Sequence, residues 1–130
     1  MELLEIINEL TTNSIINSTK FYSKYFGFKI IETEGNPITW AKLQKDNCTI
    51  MIEDYNKVKK EIKTFPQKTS TSNLIKFKIV TKEQLLVLYN TFKKDNIKLF
   101  IELKETSYNS LEFGVVDPDN NLIIISSNNI

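Results

Sequence analysis

The side chains of this 130-residue chain that could do chemistry are few, and most are carboxylates. Glu5, Glu9, Glu53, Asp54 and Glu112 lie in or beside apolar runs, Trp40 opens the run Trp40-Ala41-Lys42-Leu43, and Tyr108 stands just ahead of Glu112. There is no histidine. Both Ser-His-Asp and Cys-His catalysis are therefore excluded, and the usual general base near neutral pH is missing. Cys48 begins an apolar run, where a buried and inert thiol is expected. Gly27, Gly35 and Gly114 are too far apart to form a phosphate-cradling loop. What remains is binding chemistry, or a glutamate base if burial raises the pKa of Glu9 or Glu112. Flat aromatic faces beside carboxylates suit a planar or cationic organic ligand, because stacking and cation–π attraction act together. An aromatic residue on a strand is more often plain core, so Trp40 and Tyr108 each keep both readings.

The elements that must position these groups follow from periodicity. Residues 3–12 alternate, with Leu4, Ile6 and Leu10 on one face and Glu5, Ile7, Glu9 and Thr11 on the other, which predicts a first strand. Ser14 is a candidate N-cap for a helix carrying Ile15, Tyr22, Tyr25 and Phe26, and Gly27 stands where a left-handed C-terminal residue is wanted. Strands follow over 28–33, 38–44 and 48–53, then a lysine-rich connection with room for a short helix. The pattern restarts with a strand over 74–80, a capping box of Thr81 and Gln84, and a helix striped by Leu85, Leu88, Tyr89 and Phe92 that ends at Asn96. A strand over 97–102 leads to two apolar runs joined by Asp117-Pro118-Asp119-Asn120-Asn121, which reads as a hairpin turn. Equivalent points of the two halves lie roughly 70 residues apart, so an internal duplication is the simplest account. The expected organisation is one domain over residues 1–130, with a module over about 1–54, a linker over about 55–72 and a second module over about 73–130.

Composition limits the partners. Seventeen basic against sixteen acidic side chains leave a net charge of +1, so no overall field steers nucleic acid or an anionic membrane to the chain. Met1 leads into Glu2-Leu3-Leu4-Glu5 with neither a signal peptide nor a membrane-spanning run, and one cysteine allows no internal disulfide. A reducing cytoplasm is the expected location.

The run Ser18-Thr19-Lys20-Phe21-Tyr22 leading to Phe26-Gly27-Phe28, then Trp40-Ala41-Lys42-Leu43, then Tyr108-Asn109-Ser110-Leu111-Glu112-Phe113 leading to Asp117-Pro118-Asp119-Asn120-Asn121, resembles the glyoxalase/bleomycin resistance/dioxygenase superfamily, also called vicinal oxygen chelate. The resemblance covers nearly the whole chain and comes closest to the bleomycin-resistance type. It implies an α+β fold of two βαβββ modules whose mixed sheets curl into a cup around a cavity, and commonly a homodimer. Asn120 departs from the pattern, since the family usually has glycine there.

The family's enzymes commonly hold a divalent metal in the cup through histidines and a glutamate. Here the matching positions fall near Ile7, Ile50 or Ile52, Ile75 and Ile124, none of which can ligate a metal. A carboxylate-only site from Glu5, Glu9, Glu53, Asp54 and Glu112 stays open, but these acids show no ligand spacing, and no cofactor is expected. The resemblance further implies that Ile7, Glu9, Ile50, Ile52, Leu122 and Ile124 look into the cup, and that Trp40 and Tyr108 match the aromatic residues lining the ligand groove of bleomycin-binding members. The resulting expectation is a metal-free, small-molecule binding or sequestering protein of the antibiotic-resistance type, with Trp40, Tyr108, Glu9, Glu112, Ile7, Ile50, Ile52 and Ile124 at the ligand and selectivity from Glu9 and Glu112. The alternative is a glyoxalase- or dioxygenase-like lyase or oxidoreductase with atypical ligands or a glutamate base. A dimerisation scaffold with a filled cup is a further class.

Overall fold

A computed structural model describes residues 1–66 and 74–129. The chain divides into two units, Met1–Gln67 and Lys68–Ile130, each an α+β unit with one four-stranded mixed sheet.

The first unit runs β1 (Glu9–Thr12), α1 (Ile15–Phe26), β2 (Lys29–Glu34), β3 (Trp40–Lys45), β4 (Cys48–Asp54) and α2 (Tyr55–Glu61), with sheet order β1-β4-β3-β2. Ser14 caps α1 by accepting a hydrogen bond from the Asn17 amide, and Gly27 ends it at φ 76°. Only glycine adopts that conformation without cost. α1 sets Ile15, Phe21 and Tyr22 inward, and Ala41, Leu43, Ile50 and Ile52 meet them from the sheet, with Tyr22, Ala41, Leu43 and Ile52 fully buried. Each large side chain so buried contributes about 1.5–3 kcal/mol of transfer free energy.

The strand expected over residues 3–12 is shorter in the structure. β1 pairs in parallel with β4 only from Glu9 to Thr12, the last bond upstream being from the Met51 amide to the Asn8 carbonyl. Alternation makes a strand only where a ladder partner exists, and Leu3, Leu4, Ile6 and Ile7 remain exposed without one.

The second unit runs β5 (Leu74–Lys78), α3 (Lys82–Lys94), β6 (Leu99–Glu105), β7 (Ser110–Val116) and β8 (Leu122–Asn128), with sheet order β5-β8-β7-β6. This repeats the layout of the first sheet strand for strand. The Thr81 hydroxyl accepts from the Gln84 amide at the start of α3, and Asn96 takes a left-handed φ of 56° just past its end. Leu85 and Phe92 pack on Phe113, Val115, Ile123 and Ile125, all six fully buried, and Phe113 meets the rings of Tyr89 and Phe92 edge-on at 5.3 and 6.0 Å. Gly114 lies close under its neighbour, since a Cβ there would come within 3.2 Å of the Ile101 side chain on β6, which would have to shift to admit it.

The β7–β8 turn is built on Asp117. Its Oδ1 accepts the Asp119 and Asn121 amides at 2.8 and 2.9 Å and its Oδ2 accepts the Asn121 side-chain amide. Asn120 has φ 63°, the left-handed conformation for which glycine is the commoner choice.

The connection between the units holds α2 where a short helix has room, capped by Asp54 accepting from the Lys57 amide. Residues 67–72 of the expected linker, and residue 73 after it, lie outside the described residues. Cys48 is exposed at the start of β4, which corrects the expectation of a buried thiol: it pairs with Lys45 at the β3–β4 turn, where the sheet offers no covering layer.

Candidate functional site

Each sheet has one face covered by its helix and one open face, and alternation along the strands assigns side chains to them. In the first unit the open face is an acidic array around one indole. Trp40 on β3 pairs with Glu34 on β2 and with Glu53 on β4. Glu53 in turn pairs with Thr11 on β1, and Glu9 lies two residues before it on the same face. Glu32 and Lys42 pair one step along. Trp40 is half-buried.

Glu53 is the electrostatic centre of this array. Its carboxyl is pushed above the ordinary carboxylate value, first by burial and then by the negative charge of Glu9, with Glu61 and Glu34 adding to the effect and Lys57 opposing it. Lys57 reaches it from α2 at 3.8 Å. A cation placed beside Trp40 would relieve the crowding of like charge.

The open face of the second unit is organised differently. Glu112 on β7 is buried at 5% exposure, yet it is fully engaged. Lys76 Nζ on β5 is 2.7 Å from its Oε2, the Tyr108 hydroxyl donates to the same oxygen at 2.8 Å, and the Ser110 hydroxyl donates to it at 3.5 Å. Burial alone would raise its pKa, but side-chain hydrogen bonds from Lys76, Tyr108 and Ser126 outweigh it and leave it below the usual carboxylate value. Lys76 is correspondingly raised by its bonds to Glu112 and Tyr108. Its ammonium also lies over the Tyr108 ring, 5.2 Å from the centroid.

The structure sorts seven of the eight expected ligand residues into three groups and leaves Ile7 outside them. Glu9 and Trp40 share the open face of the first sheet; Glu112, Tyr108 and Ile124 gather on the open face of the second, where Gly114 pairs with Ile124. Ile50 and Ile52 face α1 as core, at 5% and 0% exposure. The parallel register sets Glu9 opposite Met51, so the residues sharing its face are Met51 and Glu53, and Ile50 and Ile52 on either side of Met51 point the other way. Ile7 lies upstream of β1 at 55% exposure and joins none of these groups. The role of Glu112 also needs correction, because a carboxylate neutralised by an ammonium at 2.7 Å is neither a free selector for cations nor a raised-pKa base. Tyr108 sits in the turn before β7, 62% exposed, and so belongs to no core.

Glu34, Glu53 and Lys76 join the candidate side chains on these faces beyond the eight expected ligand residues. For Glu53 the signal is present in the sequence, since it alternates with the apolar Ile50 and Ile52 along β4. For Lys76 no local signal existed.

A separate apolar hollow of about 320 Å³ lies on the helix side of the first sheet, lined by Ile15, Ile16, Ile30, Pro37 and Ile38 among others. None of the expected ligand residues lines it.

The donor set does not suit a divalent metal. Among the described residues no three His, Cys, Asp or Glu side chains gather to hold one, and the buried Glu112 of the second face already has the Lys76 ammonium as its cation. A hard or borderline ion needs several converging oxygen, nitrogen or thiolate donors.

Comparison with known proteins agrees with this architecture. Residues 6–125 match the model of the Glyoxalase/Bleomycin resistance protein/Dioxygenase superfamily, and the chain belongs to that family; among the described residues its two four-stranded mixed sheets and three helices accord with the vicinal oxygen chelate fold. Among solved structures it is similar to a glyoxalase-related enzyme from Fulvimarina pelagi, with TM-score 0.81 and 14% identity over 97% of this chain and 89% of that one. A glyoxalase/bleomycin resistance protein/dioxygenase family enzyme from Burkholderia phytofirmans PsJN gives 0.78 and 22% over 92% and 94%. A lactoylglutathione lyase from Agrobacterium tumefaciens gives 0.77 and 13% over 98% and 96%. At these identities the likeness is one of fold. No curated protein matches the chain.

Proposed function

We propose that this chain is a small-molecule binding protein that captures a planar, cationic organic ligand on the open face of its first sheet without a metal, a sequestering role of the bleomycin-resistance type. The observation that carries this reading is the placement of Trp40 in register between Glu34 and Glu53, with Glu9 close enough to raise the Glu53 pKa. A flat cation stacked on the indole gains about 0.5–2 kcal/mol from cation–π attraction and further affinity from buried apolar area and the surrounding carboxylates. Capture would be stoichiometric.

The test is titration of Trp40 fluorescence with N-methylquinolinium and with naphthalene, a neutral ring system of similar shape. Saturable quenching by the cation, weakened about tenfold in Glu53→Gln and much weaker for naphthalene, supports capture. Equal quenching by both compounds, or none, refutes it.

A second reading draws on the raised pKa of Glu53: a metal-independent enzyme with this carboxylate as general base. Turnover of a carbonyl substrate that survives exhaustive chelation and disappears in Glu53→Gln would favour it.

A further inference from the structure

The open face of the second sheet has a charge sign opposite to that of the first. On β5, Lys76 and Lys78 alternate onto this face, pairing with Ile124 and Ser126 of β8, and on β6 Lys104 pairs with Glu112. Three lysines and one glutamate therefore share this face, and the ammonium at the carboxylate is that of Lys76. Among the described residues, Lys78 and Lys104 have no ion-pair partner. Lys76 differs from its neighbours in being held. Glu112 takes one of its N–H bonds at 2.7 Å and the Tyr108 oxygen takes another at 3.2 Å. An ammonium has three donors, and with the side chain 45% exposed the third is open to solvent.

We propose that this face binds an anionic group of a small organic molecule, a carboxylate or a phosphoryl group, on the third N–H of Lys76, with Lys78 and Lys104 supplying further positive charge. The observations behind this proposal are all from the second unit and do not draw on Trp40. Three features support it beyond charge. The ammonium is fixed in position by two bonds, so little side-chain freedom is lost when an anion binds. The Glu112 carboxylate that holds it is itself buried, so the anchoring acid does not turn out into water. The Tyr108 ring, largely exposed beside the ammonium, offers an aromatic surface to a ligand whose anionic group sits on Lys76.

Calorimetric titration with inorganic phosphate and with benzoate tests the proposal and separates the two sources of the anionic group. Saturable binding of either, falling at least tenfold in Lys76→Met and about threefold in the double variant Lys78→Ala/Lys104→Ala, is the expected result. Benzoate above phosphate marks an aromatic carboxylate as the ligand class, and the reverse order marks a phosphoryl compound. Glu112→Gln should tighten anion binding, since it removes the charge that competes for the ammonium; a merely structural Lys76–Glu112 pair would give no such gain. If Lys76→Met does not fold, the double variant and Glu112→Gln decide the matter. Absence of saturable binding for both anions, or binding that none of these variants changes, overturns the proposal.

Discussion

Trp40 stands opposite Glu53 across the β3–β4 ladder, and Glu53 is the carboxyl whose proton affinity the fold raises. The same pair that offers an aromatic surface to a ligand therefore holds negative charge under strain. A raised carboxylate pKa contributes stability that is complete below the unfolded value, near 4.5, and is lost as the pH rises through the higher folded value. Glu53→Gln should therefore be at least as stable as the parent at pH 7, with its advantage shrinking toward pH 4. Thermal unfolding across that range checks this, and a variant clearly weaker than the parent at neutral pH would contradict it.

The Lys76–Glu112 pair has the opposite sign. Because the Glu112 pKa is lowered, its stabilisation is present above the ordinary glutamate value and disappears as the pH falls through the lower folded one. Glu112→Gln should melt below the parent at pH 7, and the two curves should converge in acid. Melting temperatures that stay equally separated at all pH values would show that the difference lies in packing instead.

Asp117 holds the β7–β8 turn through two backbone amides and one side-chain amide. Replacing it by alanine strands those buried donors and should cost about 1–3 kcal/mol. Denaturant unfolding measures the loss. The neighbouring Pro118 is exposed, and its alanine variant should cost far less.

A divalent ion should not stabilise the protein. An ion bound to the native state and present at a hundred times its dissociation constant adds about 2.7 kcal/mol, which raises the melting temperature of a domain this size by several degrees. Zinc, manganese or nickel added to untagged, chelator-treated protein is expected to leave the melting temperature unchanged. A rise of that size with one bound ion per chain would point to Glu9 and Glu53 as its ligands.

Features decided by local chemistry were legible before any coordinates. Ser14 and Thr81 cap their helices because a hydroxyl can reach an amide three residues on, and Gly27 and Asn96 end them by tolerating positive φ. The face occupied by Ile50 and Ile52 was not legible. It depends on how β4 registers against β1, a choice made by packing between segments some 40 residues apart, and a slip of one residue turns every side chain over. Lys76 was hidden for a related reason: a lysine on a strand reads as a solvated edge unless its partner is known, and Glu112 lies on another strand far along the sequence. Ile7 was placed by alternation that continued past the point where pairing ends.

The exposed thiol at the β3–β4 turn makes the protein its own assay platform. Cys48 is the chain's one cysteine and Trp40 its one tryptophan. Cys48 pairs with Lys45 at one end of the hairpin and Trp40 lies at the other, about 17 Å away at a strand's rise per residue. A maleimide acceptor can be attached at one defined position without mutagenesis, and energy transfer from the indole would report what settles on the acidic face.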